Sequence, residues 1–256
     1  MKQPHLKQAL FAALVMTGIS TASAHISYRG RDFGVFQANG LDAPITISGQ
    51  TVSSNFGWAD ATDADYGDSH RNRFFRFTLA NPGHVTIDIT GVTGFLPAFS
   101  IYSGLAHVSP AALDHDTSTI SSSYLASLTA VDGITREGSF YALGDWKIGS
   151  DSGSTFADLS SFTYVGNAAD GTSAIYNSLS PLVNGDGIAD NHVAGTFFLA
   201  AGTYSLVVGG GDYSTQAPGP FTGYGITASV NVVPEPASAI LLTLPGLMLL
   251  ARRRRA

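Results

Sequence analysis

The sequence predicts an all-β, antiparallel sandwich, and three observations carry that prediction. Apolar residues alternate with polar ones over most of the readable stretches. Gly, Pro and Asn punctuate those stretches, and cysteine is absent, so the core must close by burial alone. Between residues 25 and 232 there is enough chain for one hydrophobic core without covalent staples, and one domain is expected there.

The elements follow from the alternation. In Phe74 to Leu79 one face carries Phe75, Phe77 and Leu79; Asn81-Pro82-Gly83 is turn chemistry; then Val85, Ile87 and Ile89 alternate with Thr86, Asp88 and Thr90. Phe99 and Ile101 mark a third strand. Phe197 and Leu199 precede an Ala201-Gly202 turn, after which Tyr204, Leu206 and Val208 share a face until Gly209-Gly210-Gly211 breaks the strand. Tyr224, Ile226, Ala228, Val230 and Val232 form the last alternation. The expected common core is Phe75, Phe77, Leu79, Val85, Ile87, Tyr204, Leu206, Ile226 and Ala228. A long insertion at about 103–195 is expected to carry short helices. Ser109-Pro110 fits an N-cap with proline at the first helical position, and Ile120, Tyr124 and Leu128 fall at helical spacing. From Phe140 onward, through Trp146 and Phe162 to Val165, strands and loops return.

Two segments resemble bacterial pre-peptidase C-terminal (PPC-like) domains, namely Arg73 to Leu79 with its Pro-Gly turn, and Leu199 to Val208. The resemblance implies a jelly-roll-like sandwich that is not itself catalytic. The insertion departs from that family, and fold likeness lends no activity.

The two ends stand outside the sandwich. Residues 1–24 read as a signal peptide: Lys2 and Lys7 supply the positive region, Ala9 to Ile19 the apolar region, and Ala22-Ser23-Ala24 the small-residue site for signal peptidase. Cleavage after Ala24 would leave His25 at the N-terminus. At the other end, residues 233–256 form a tail. Pro234-Glu235-Pro236 stops the preceding strand, an apolar helix is expected at 237–251, and Arg252, Arg253, Arg254 and Arg255 follow. That helix of 15 residues would be about 22 Å long, short of the ~30 Å hydrocarbon core of a bilayer. The arginines should stay cytoplasmic, leaving the body across the inner membrane.

The tail resembles the PEP-CTERM sorting signal, in which Pro-Glu-Pro, a short apolar segment and an arginine cluster come in this order at the C-terminus. The resemblance implies processing near Pro-Glu-Pro by an exosortase, transient residence in the inner membrane of a Gram-negative bacterium, and a host that makes exopolysaccharide.

Charge narrows the partners. From His25 to Val233 there are 18 acidic and 7 basic residues. A body this acidic offers phosphates no basic patch, so nucleic acid is not an expected partner. Without cysteine, thiol catalysis and thiolate metal sites are excluded.

Several small constellations are candidates for chemistry. Asn184, Asp186 and Asp190 alternate through a Gly-rich loop and are candidate oxygen ligands for calcium, though Asn-Gly and Asp-Gly are equally the chemistry of ordinary turns. The acidic loop with Asp60, Asp63, Asp65 and Asp68 is a second calcium candidate. Gly67-Asp68-Ser69-His70 resembles the nucleophile block of GDSL-type hydrolases, but it lacks the strand before it and the Asp-x-x-His after it. A mature N-terminal His25 could bind copper as in lytic polysaccharide monooxygenases. Trp58 and Trp146 are candidates for stacking on glycans. The expected function is that of an exported, non-catalytic surface or extracellular-matrix protein, associated with exopolysaccharide or biofilm. A glycan-binding module, a secreted hydrolase and a copper enzyme are the alternatives, and no cofactor is expected beyond calcium.

Overall fold

The Phe77 and Tyr204 rings stack 5.3 Å apart at 17°, and their strands pair although 127 positions separate them. Such long-range pairing organises the whole molecule. The computed structural model describes residues 26–58, 66–69, 71–106, 117–118, 139–149, 160–172, 183–212 and 222–233. In chain order the strands are β1 (Asp32–Phe36), β2 (Ile45–Ser53), β3 (Tyr66–Asp68), β4 (Arg73–Leu79), β5 (Gly83–Gly91), β6 (Pro97–Ser103) and β7 (Thr117–Ser118). They continue as β8 (Ser139–Tyr141), β9 (Trp146–Gly149), β10 (Ser160–Ala169), β11 (His192–Leu199), β12 (Gly202–Gly210) and β13 (Gly223–Val233).

Two sheets face each other. The larger runs β1-β4-β12-β6-β10-β9-β7 and the smaller β11-β5-β13-β2, while β3 and β8 form a separate pair. Every pairing is antiparallel except that of β1 with β4. The alternation in the sequence explains the packing, since successive side chains on a strand point to opposite faces. Phe75, Phe77 and Leu79 of β4 meet Val85, Ile87 and Ile89 of β5 and Ile226, Ala228, Val230 and Val232 of β13 in one buried cluster. All nine residues expected to share the core lie in that cluster.

The large sheet is buried on both faces, which alternation alone does not reveal. Its outer face is covered by a second cluster that includes Ile26, Tyr28, Trp58, Phe74, Tyr102, Ala142, Phe162 and Val207. Polar groups under this cover find partners, as burial demands. Ser100 Oγ donates to the Ala142 carbonyl at 2.6 Å and Ser205 Oγ to the Gly104 carbonyl at 2.7 Å. The insertion is therefore part of the sandwich: β10 pairs with β6, and residues 141–143 help cover the outer face. The helical positions Ser109-Pro110 and Ile120 to Leu128 lie outside the described residues, as do residues 1–25 and 234–256.

One expectation is overturned. Gly209-Gly210 does not break β12, which runs through Gly210. These glycines instead admit a neighbouring segment: Gly57 bridges to Gly210, Trp58 donates its N–H to the Gly210 carbonyl at 3.0 Å, and an added Cβ would strike Asn72 Oδ1 or the Asn55 backbone. Strand β11 also starts earlier than its apolar residues imply, at His192.

Phe77 is 1% exposed at the centre of this core. Replacing it by alanine should lower the unfolding free energy by about 3–5 kcal/mol, read from urea denaturation. A loss below about 1 kcal/mol would mean that the two sheets do not close on this ring.

Candidate functional site

The Asn184 to Asp190 loop is built around a residue the sequence reading missed. Asp170, at the end of β10, is fully buried. Its two carboxylate oxygens accept the N–H groups of Asp190 at 2.9 Å and Asn191 at 2.8 Å. Burial pushes the Asp170 carboxyl above the usual carboxylate range; the two N–H donors oppose this, and Asp186 and Asp190 reinforce it. Asp186 Oδ1 accepts from Gly171 N at 2.9 Å and Ile188 N at 3.1 Å, the side-chain bonding of an Asx turn. Asn184 donates its N–H to Asn167 Oδ1 at 2.8 Å. The loop thus closes on its own hydrogen bonds. Among the described residues no group of three or more His, Cys, Asp or Glu side chains is placed to hold a metal ion. An Asp-Gly pair at 170–171, like that at 186–187, was the available signal for Asp170.

The other sequence candidates are dispersed. Asp68 pairs with Arg71 at 3.1 Å, while Asp60, Asp63, Asp65 and His70 lie outside the described residues. Ser69 is 5% exposed, and among the described residues its Oγ has no hydrogen-bond partner. Trp58 cannot be a glycan platform. It is fully buried against the large sheet, and its Nε1 donates to Ser100 Oγ at 2.9 Å. The Trp146 side chain, His25 and the sorting residues are outside what the structure describes.

Two further features were not legible beforehand. A shallow cleft of about 240 Å³ at one end of the small sheet is lined by Gly49, Gly91 and Gly225, with Thr90 and Thr227 beside them. On the outer face of the same sheet His192 Nε2 lies 2.8 Å from Asp88 Oδ2. That hydrogen bond raises the His192 pKa, burial opposes it, and the charges of Asp88, Asp190 and Asp186 add to the rise.

No family model matches the chain, and no curated protein matches it in sequence. Among solved structures the fold is similar to CorA, described as a surface-associated copper-binding protein important in copper acquisition by Methylomicrobium album BG8. The TM-score is 0.50 and the identity 15%, over 82% of this chain and 99% of CorA. It also matches MopE, described as a secreted protein of Methylococcus capsulatus in which an oxidized tryptophan facilitates copper binding. There the TM-score is 0.43 and the identity 14%, over 83% of this chain and 92% of MopE. At such identities the likeness is one of fold.

The His192–Asp88 pair makes a pH prediction. Its stabilisation is fully present below the unfolded histidine pKa of ~6.5 and fades as pH rises through the elevated folded value. Both side chains are partly exposed, so the contribution is about 0.2–1 kcal/mol. Urea midpoints of wild type and His192→Gln should differ at pH 6 and converge by pH 9; a constant difference would show that the pair carries no proton linkage.

Proposed function

We propose that this is an exported, non-catalytic protein of the cell surface or extracellular matrix, addressed there by its C-terminal tail. The carrying observation is the tail itself: Pro234-Glu235-Pro236, an apolar run at 237–251 and Arg252 to Arg255, in that order. The fold supports a removable tail, because β13 ends at Val233, one residue before Pro234. It supports a removable leader as well. Ile26, two residues past Ala24, is 1% exposed, so the described core reaches almost to the expected cleavage site. The tail's apolar helix is a proposal resting on the sequence; among the described residues no helix is long and apolar enough to cross a membrane.

In this reading signal peptidase removes residues 1–24, the arginines hold the precursor in the inner membrane with its body outside the cytoplasm, and an exosortase trims near Glu235. The released sandwich then contributes to surface or exopolysaccharide-associated structure. CorA, with a similar fold, is described as surface-associated, which fits this destination. A second reading is copper binding through the mature His25 amine and ring, and it is favoured by the copper-binding description of CorA.

Mass spectrometry of the mature protein separates the sorted protein from an ordinary anchored one. Wild type in an exosortase-bearing host should lack Arg255. Replacing Pro234, Glu235 and Pro236 by alanine leaves the apolar run intact, so that variant and an exosortase deletion should both retain it. All three retaining Arg255, or all three trimmed alike, would contradict the sorting reading; copper analysis of the same sample decides the second one.

A further inference from the structure

Five arginines lie among the described residues, and they are not treated alike. Arg29 is exposed. Arg71 pairs with Asp68 and Arg76 with Asp32, the latter at 2.6 Å. Arg31 and Arg73 are half-buried, and among the described residues neither has a carboxylate partner. A guanidinium is costly to take from water, so each leans on neutral acceptors instead.

Their placement is defined. Arg31 precedes β1 at the edge of the large sheet, and its guanidinium is held by three acceptors. Nη2 donates to the Ser27 carbonyl at 2.7 Å, Nε to the Phe74 carbonyl at 3.0 Å and Nη1 to Gln50 Oε1 at 3.3 Å. Gln50 belongs to β2 of the opposite sheet, so this contact lies at the mouth between the two sheets. Arg73 shares the inward face of β4 with Phe75 and Phe77, at the strand's first position, one residue from the carbonyl that Arg31 holds. It donates from Nη1 to the Asn72 carbonyl at 2.9 Å. Burial lowers the pKa of both groups, and the charge of Arg73 lowers that of Arg31 further.

We infer that Arg31 and Arg73 form a binding site for the carboxylate of an acidic sugar, a uronate unit of a polysaccharide, at the mouth between the sheets. A guanidinium has five N–H donors in a planar fork that matches a carboxylate. Three are engaged at Arg31 and one at Arg73, which leaves six between them. Fixing Arg31 between the sheets removes the entropy that a flexible cation would lose on binding. Edge strand β2 steadies Arg31 through the Gln50 amide, whose Oε1 accepts from Arg31 and whose Nε2 donates to the Ser48 carbonyl at 3.5 Å. The acidity of the whole body does not forbid this, because charges beyond ~8 Å are screened at physiological salt. The inference rests on the matrix reading above for the source of such a ligand.

The test is calorimetric titration of the full-length protein in mild detergent with trigalacturonate, an uncharged trisaccharide and sodium sulfate. Wild type should bind trigalacturonate saturably and the uncharged sugar not at all, with sulfate at least tenfold weaker. Arg73→Gln should weaken trigalacturonate at least tenfold while its melting temperature stays level or rises, since that arginine has no ion pair to lose. The site is refuted by no binding at millimolar trigalacturonate, by equal binding in Arg73→Gln, by sulfate binding as tightly as the uronate, or by a fall in melting temperature on substitution. No arm of this titration involves tail processing, so a failure here leaves the C-terminal mass spectra to stand by themselves.

Discussion

The placement of the late strands between early ones is the constraint on which the rest of this structure depends. Strand β12 lies between β4 and β6, and β13 between β5 and β2, so the interior of each sheet waits for residues beyond 200. Neither early half can close alone: the inward faces of β4 and β5 are covered only when Tyr204, Leu206 and Val208 and then Ile226, Ala228 and Val230 arrive. Joining strands so far apart costs loop entropy, but that cost grows slowly, by about 0.6 kcal/mol for each doubling of the loop. Hence the chain tolerates the 88 residues between β6 and β11 at modest thermodynamic cost. Kinetics bear more of the burden, because such non-local pairing is slow to form.

The insertion contributes to the fold. By supplying β10 and the cover over Tyr102, Phe74 and Val207, it turns the outer face of the large sheet into a second buried layer. The Tyr28 hydroxyl, 2.6 Å from Ser205 Oγ, ties the N-terminal segment into the same layer. The described core thus reaches from Ile26 near one end to Val232 near the other, and β13 ends at Val233.

How much was legible varies with the physical signal each element leaves. Strands β4, β5, β12 and β13 were readable because one face of each meets the inter-sheet core and the alternation survives in the residues. Strand β2 was not. As an edge strand with the sequence ITISGQTVS it buries only Val52, so polarity hides it. Gly209 and Gly210 misled because glycine marks both strand ends and close backbone approach, and only the position of Gly57 separates the two. Trp58 misled in the same way, since its Gly- and Asp-rich neighbours describe a loop and not the sheet beneath it. The Arg31–Arg73 pair left no motif at all, because the parallel pairing of β1 with β4 brings together residues 42 positions apart. The proposed sorting tail is the opposite case, since its signal is linear order in the sequence and owes nothing to the fold.

The central proposal is that the sandwich needs nothing beyond Val233 and that the tail after it is a detachable address. Calorimetric melting of residues 25–233, compared with the full-length protein in the same mild detergent, tests it most directly. The account predicts one cooperative transition at the same temperature in both, because both described core clusters lie within residues 26–232. A truncated protein that melts more than about 5 °C lower, a shift that corresponds to about 1–2 kcal/mol or more for a domain of this size, would contradict it.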